Sequence, residues 1–137
     1  MKVAADRRWK TLIMMNSGLL NVPLTVSLAD MDASKDLLAT VHTPVLYTLG
    51  GESDVAWVNA MDDFKRLERV PVFIADLKGV GHGGTYWEPN GGKAAQVVVA
   101  WLQWQLRGDE KAARLFTGKD CGLCQNDAWT VSRKKIP

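Results

Sequence analysis

Three short apolar runs constrain this chain more than any other feature. They are TLIMM at 11–15, PVLYTLGG at 44–51 and VPVFIADL at 70–77. Each is too short for a buried helix, carries β-branched or large apolar residues, and stops at glycine or a small polar cluster, the pattern of a buried strand. Segments with helical character separate them. SKDLLATVH begins at Ser34, an N-cap residue, and must end before Pro44. AWVNAMDDFKRLER at 56–69 sets Val58, Met61, Phe64 or Lys65, and Leu67 near one face, leaving Asp62, Asp63, Lys65, Arg66 and Glu68 for solvent. After the third run, GGKAAQVVVAWLQWQLRG at 91–108 forms a long helix with Gly108 as its C-cap. Its polar stripe, Lys93, Gln96, Gln103 and Arg107, is narrow, so it is expected to be buried on most of its circumference. The alternation predicts an α/β fold: a short parallel sheet of about three strands flanked by helices.

Residues 19–33 contain Pro23 and show no period, which suggests an irregular excursion. DEKAARLF at 109–116 starts another short helix, whereas residues 117–137 suggest a surface extension anchored by Trp129. Trp101 and Trp104 are expected in the core. A chain of 137 residues, 47% hydrophobic and 23% charged, fits a single domain over 1–137 and not a disordered polymer. A net charge of +2 without a basic, aromatic-interleaved run argues against nucleic acid as a partner. No apolar stretch approaches the roughly 18–20 residues of a membrane span. MKVAADRRWK lacks the pattern of a signal peptide, since Trp9 and Lys10 interrupt it before an apolar core forms.

In parallel α/β sheets, ligands gather at the carboxyl ends of the strands. The polar residues that need explaining stand there: Asn16-Ser17 after the first run, Glu52-Ser53-Asp54 after the second, and His82 in GVGHGGTYWEPNGG after the third. Neighbouring strands lie about 5 Å apart, so an Asp after one and a His after the next can meet. The carboxylate then fixes the imidazole tautomer, leaving the second ring nitrogen free as a general base. The glycines allow the loop to carry His82 across the sheet edge. Plainer roles exist for both residues: His82 packed beneath Trp87, and Asp54 as an N-cap of the following helix.

Cys121 and Cys124, in DCGLC, admit three readings. A zinc site needs further ligands, and His42 and His82 are remote in sequence. A thiol-redox pair is the second reading. A local structural disulfide is the third.

The stretches TPVLYTLGGESDVAWVNAMDDF and VPVFIADLKGVGHGGTYWEPNGGKAAQVVVAWLQWQLRGDEKAARLFTG, followed by DCGLC, resemble the C-terminal half of a bacterial α/β-hydrolase. The likeness runs from about residue 3 to the end. It is to secreted esterase or lipase-like members related to the dienelactone hydrolase and polyester hydrolase groups. That family orders its catalytic residues Ser, Asp, His. The resemblance therefore implies Asp54 as the acid, His82 as the base, a disulfide between Cys121 and Cys124, an extracellular or periplasmic location, and an ester as substrate. It implies no metal and no organic cofactor.

The family's nucleophile elbow, G-x-S-x-G, does not occur in this sequence. Gly51-Glu52-Ser53-Asp54-Val55 has the strand-to-helix context of an elbow, with Val55 in place of the final small residue, making Ser53 a candidate substitute nucleophile. Ser17 is a weaker one, and both serines suit ordinary turn chemistry. Tyr86 and Trp87 are candidates to line a substrate pocket; packing of the loop onto the long helix is the alternative, favoured for Trp87. Without a neighbouring nucleophile strand, residues 11–15 would present an open edge able to recruit another chain, either a second copy or an N-terminal half. The competing functional class is a catalytically incomplete module that binds a partner or an apolar ligand.

Overall fold

The computed structural model describes residues 6–20 and 35–137. The Ser34 N-cap and nearly all of the irregular excursion fall outside them. The fold is mixed α/β around an open sheet of four strands in the order β1-β2-β3-β4, with β1 Leu12–Met15, β2 Val45–Leu49, β3 Val72–Leu77 and β4 Trp129–Lys134. The first three are parallel, and β4 runs antiparallel to β3 from Leu77 opposite Trp129 to Val72 opposite Lys134. The sheet thus has one strand more than expected. The tail is not a surface extension: WTVSRK covers what would otherwise be the open edge of β3, and Trp129 is indeed buried.

Every residue of β2 and β3 is buried, as their continuous apolar runs require. Alternation divides them between two faces. Val45, Tyr47 and Leu49 join Val72 and Ile74 on one face, under α1 (Trp57–Arg66) and the 3-10 segment Lys35–Thr40. Leu46, Phe73, Ala75 and Leu77 occupy the other, under α2 (Gly92–Arg107) and the chain that follows it. There Trp101 is fully buried, stands edge-on to Phe116 and Trp104, and donates its Nε1–H to Thr11 Oγ1 at 2.8 Å. β1, with one neighbour among the described residues, is only half-buried and ends at an exposed Met15.

Two helices turn differently from expectation. On α1 the buried positions are Ala60 and Asp63, with Trp57, Met61 and Phe64 partly buried around them, while Val58 faces solvent. The face is rotated because Asp63 has a buried cation to meet. Lys35 Nζ lies 2.6 Å from Asp63 Oδ1, and Leu19 N–H and Tyr47 Oη–H donate to Asp63 Oδ2 at 2.8 and 3.2 Å. α2 is buried on one face only, through Ala94, Val97 and Trp101; Val99 and Leu106 are exposed. Gly108 caps it in the left-handed region, φ 67°. α3 (Glu110–Ala113) is a single turn capped by the Asp109 carboxylate.

Candidate active site

Strand register sets the site. Met15 pairs with Thr48 and Leu49 with Asp76, so β1, β2 and β3 end level with one another. The three following segments rise from one rim, and they bring Asn16, Asp54 and His82 together.

Asp54 lies in the turn between β2 and α1, and its side chain is wholly buried. Its Oδ1 accepts from the Ala56 N–H at 2.9 Å and faces His82 Nδ1 at 2.8 Å. Its Oδ2 accepts from Asn16 Nδ2 at 2.6 Å and the Gly50 N–H at 3.2 Å. Burial pushes this carboxyl up, but the hydrogen bonds from Ala56, His82, Asn16 and Gly50 together outweigh it and hold Asp54 below the ordinary carboxylate value. Asp54 is not the side-chain cap of α1: the residue at that position is Ala56, without a side-chain cap bond.

A carboxylate only accepts, so Nδ1 carries the hydrogen in this contact. The ring's other nitrogen, Nε2, has no protein partner among the described residues, and 57% of the His82 side chain is exposed. His82 is not packed beneath Trp87, whose indole is 92% exposed.

The glycines around His82 answer to backbone contact. The loop crosses the end of β2 so closely that a Cβ on Gly50 would fall 1.9 Å from the Gly81 carbonyl oxygen. In that space the Gly81 N–H donates to the Gly50 carbonyl at 2.7 Å. The far side of the loop is held by Thr85, whose Oγ1 donates to the Gly91 carbonyl and accepts from the Ala94 N–H, both at 2.9 Å, fastening the loop to the start of α2. That anchoring was expected of Trp87 and falls instead to the buried Thr85.

Of the other candidates, Tyr86 is half-buried with its hydroxyl bonded to Asn16 Oδ1 and 3.3 Å from Thr48 Oγ1. Ser53 is exposed, its Oγ 4.0 Å from where a Cβ would stand on Gly81, and no hydrogen bond joins it to His82. Ser17 is half-buried beyond the end of β1, again without a bond to the pair. Asp76 also reaches this rim, accepting from the Gly51 N–H at 2.6 Å and Trp57 Nε1–H at 2.9 Å, and so holds the Asp54 turn to β3. Sequence reasoning noted Asn16 only as a polar residue at a strand end; an Asn before Ser-Gly, prone to the left-handed region it adopts here at φ 42°, was the available signal.

Cys121 and Cys124 are disulfide-bonded, Cys121 being buried against the α2 face of the sheet. Among the described residues no three His, Cys, Asp or Glu side chains gather as a metal ion would need, and no helix is long and apolar enough to cross a membrane. No protein-family model matches the chain, nor does any curated protein.

Proposed function

We propose that the chain carries the acid–base half of a serine-type carboxylic ester hydrolase. The observation that carries this reading is the 2.8 Å contact between a buried Asp54 carboxylate and a half-exposed imidazole whose Nε2 is unengaged. With Nδ1–H held by Asp54, Nε2 presents its lone pair outward. It accepts the proton of an attacking hydroxyl, and Asp54 stabilises the imidazolium that forms. The proton then passes to the departing alkoxide. The hydroxyl oxygen forms the new bond to the acyl carbon, the ester C–O bond breaks, and water completes the cycle by the same route. The resemblance to the C-terminal half of an α/β-hydrolase gives the same assignment. Within this chain Ser53 is the leading nucleophile, being exposed and adjacent to the His82 loop, with Ser17 second; Tyr86 and Trp87 are the candidates to line the substrate pocket.

Steady-state hydrolysis of a chromogenic short-chain ester tests the reading. His82→Ala should lower turnover by about 10²–10⁴-fold. Ser53→Ala should do at least as much if Ser53 is the nucleophile. Turnover that survives His82→Ala would end the proposal.

A second reading rests on β1, which among the described residues has a neighbour on one side only, and on there being no bond between His82 and a serine among them. On this reading the chain is an incomplete module whose open edge at 11–15 pairs with a second copy. It expects no His82-dependent hydrolysis and a dimer in light scattering at micromolar concentration.

A further inference from the structure

We propose that Asn16 is a positioning residue for the acid–imidazole pair: its amide fixes the rotation of the Asp54 carboxylate and, through the Tyr86 hydroxyl, ties that rotation to the seating of the histidine loop. The inference deepens the hydrolase reading and rests on it for its catalytic meaning, though its geometry stands apart.

The Asp54 carboxylate takes four donors. Two are backbone N–H groups, Ala56 and Gly50, close to it in its own segment, and the third is His82 itself. The fourth, Asn16 Nδ2, reaches it from the residue after β1, on the side away from His82, and at 2.6 Å it is the shortest of the set. Without it, Oδ2 would keep one bond of 3.2 Å, and the rotation that aims Oδ1 at Nδ1 would rest on that bond and the Ala56 N–H at 2.9 Å.

The neighbours dictate which way the Asn16 amide points. Nδ2 faces two acceptors, Asp54 Oδ2 and the Gly81 carbonyl at 3.3 Å, while Oδ1 meets the Tyr86 hydroxyl. A flipped amide would set its oxygen against a carboxylate and a carbonyl at once, so only one orientation is consistent with the network. Because the Tyr86 hydrogen goes to Asn16, Thr48 Oγ1 must be the donor in its contact with Tyr86. The result is one directed chain, Thr48 to Tyr86 to Asn16 to Asp54, with His82 donating to the same carboxylate from the opposite side. Burial raises the Tyr86 pKa; the Thr48 bond works against this and the Asp54 charge adds to it, and the net effect preserves Tyr86 as a hydroxyl donor.

The chain also couples two loops. Nδ2 touches Gly81, the residue immediately before His82, and Tyr86 lies four residues beyond it, so both flanks of the histidine are referred to the end of β1. Gly84 between them has φ +53°, and a Cβ there would stand 3.0 Å from both Asn16 Oδ1 and the Tyr86 ring. The loop is shaped to admit this one amide.

A buried Asn that merely satisfied itself would affect stability and nothing else; a positioning residue also sets the His82 tautomer. The chain has only two histidines, so the His82 ring nitrogens can be assigned by long-range ¹H–¹⁵N NMR with a His42→Gln control. The neutral ring of the wild type should show a single Nδ1–H tautomer. Asn16→Ala should yield a mixture containing the Nε2–H form, and Tyr86→Phe, which removes one oxygen atom, a smaller shift the same way. Ester turnover in Asn16→Ala should fall by up to about 100-fold through kcat, with KM little changed. Folded variants that both keep the wild-type tautomer overturn the proposal; if Asn16→Ala fails to fold, Tyr86→Phe decides alone. A tautomer that responds in a protein without ester turnover would leave the positioning role standing and remove the hydrolase reading. His82-dependent turnover with unresponsive tautomers would do the reverse.

Discussion

Asp54 and Asp63 lie close together in sequence, both fully buried carboxylates with every oxygen engaged, yet they are built for different ends. Asp63 meets Lys35, whose side chain is itself only 9% exposed, along with a backbone N–H and a tyrosine hydroxyl. Its partner is an amine on a long side chain, and the pair is sealed from solvent. Asp54 meets an imidazole more than half in solvent. The first arrangement is a clamp: it holds Leu19 and Lys35, which flank residues 21–34, against α1 and β2. The second places a proton-exchanging ring where an outside molecule can reach it. The contrast shows that burial of an acid says little about function until the exposure and chemistry of its partner are known.

If that contrast is right, the largest stability loss should come from the sealed site. Asp63→Ala leaves Lys35 with Asp62 Oδ2 at 3.1 Å and the Asn59 carbonyl at 3.0 Å, and strands the Leu19 N–H and the Tyr47 hydroxyl. Breaking a buried pair in this way costs about 3–5 kcal/mol, and the remaining contact to Asp62 places the expectation at the lower end. Urea unfolding measures it. A loss below about 1 kcal/mol, the scale of a surface pair, would erase the distinction from the sealed side. Tyr47 belongs to the same unit: burial, then the Asp63 charge and hydrogen bond, push its pKa above the ordinary phenol value, so it remains a donor.

Gly50→Ala should break the other site with a smaller loss of stability. The added Cβ meets the Gly81 oxygen and nitrogen at 1.9 and 2.8 Å, both backbone atoms with no rotamer to yield. Overpacking of this kind costs about 1–3 kcal/mol. The histidine loop should lift, losing the Gly81-to-Gly50 bond and the His82–Asp54 contact. Amide hydrogen exchange reads this locally: Gly81 should lose protection while Leu19, bonded to Asp63, keeps its own. Equal loss at both amides would mean the two sites unfold as one unit.

The same contrast explains what could be read from the amino acids alone. β1, β2 and β3 were legible because apolar runs ended by glycine leave few alternatives, and the meeting of Asp54 with His82 followed from parallel neighbours ending at one rim. β4 was not, because WTVSRK is polar at its outer positions and becomes a strand only by covering the edge of β3. Asp63 looked like a solvated helix position, since periodicity along α1 cannot see a lysine held on a different segment. Val58 was misplaced by the same error, the two residues exchanging inside for outside. Asn16 carries its meaning in three bonds to residues far along the chain, and no local pattern announces them.

The subtlest difference between the two acids should appear with pH. Asp54 is held below its unfolded value, near 3.9, so its contribution to stability is complete above that value and is lost as pH falls through its folded pKa. Asp54→Asn replaces an acceptor of four bonds with a group that presents an NH₂ to donors: one side of the amide must face either the Asn16 amide and the Gly50 N–H, or the Ala56 N–H and His82. The variant should therefore be less stable than wild type near neutral pH, and the gap should close as acid protonates Asp54 in the wild type. Asp6, held low chiefly by hydrogen bonds from Arg8, and Asp62, held low chiefly by Arg66 and then Lys35, titrate in both proteins and cancel in the difference. Paired urea titrations from pH 7 down to the onset of acid unfolding give the curve. A gap that stayed constant across that range would mean the Asp54 charge contributes nothing in the fold, and the imidazole would be held by packing instead of by a carboxylate.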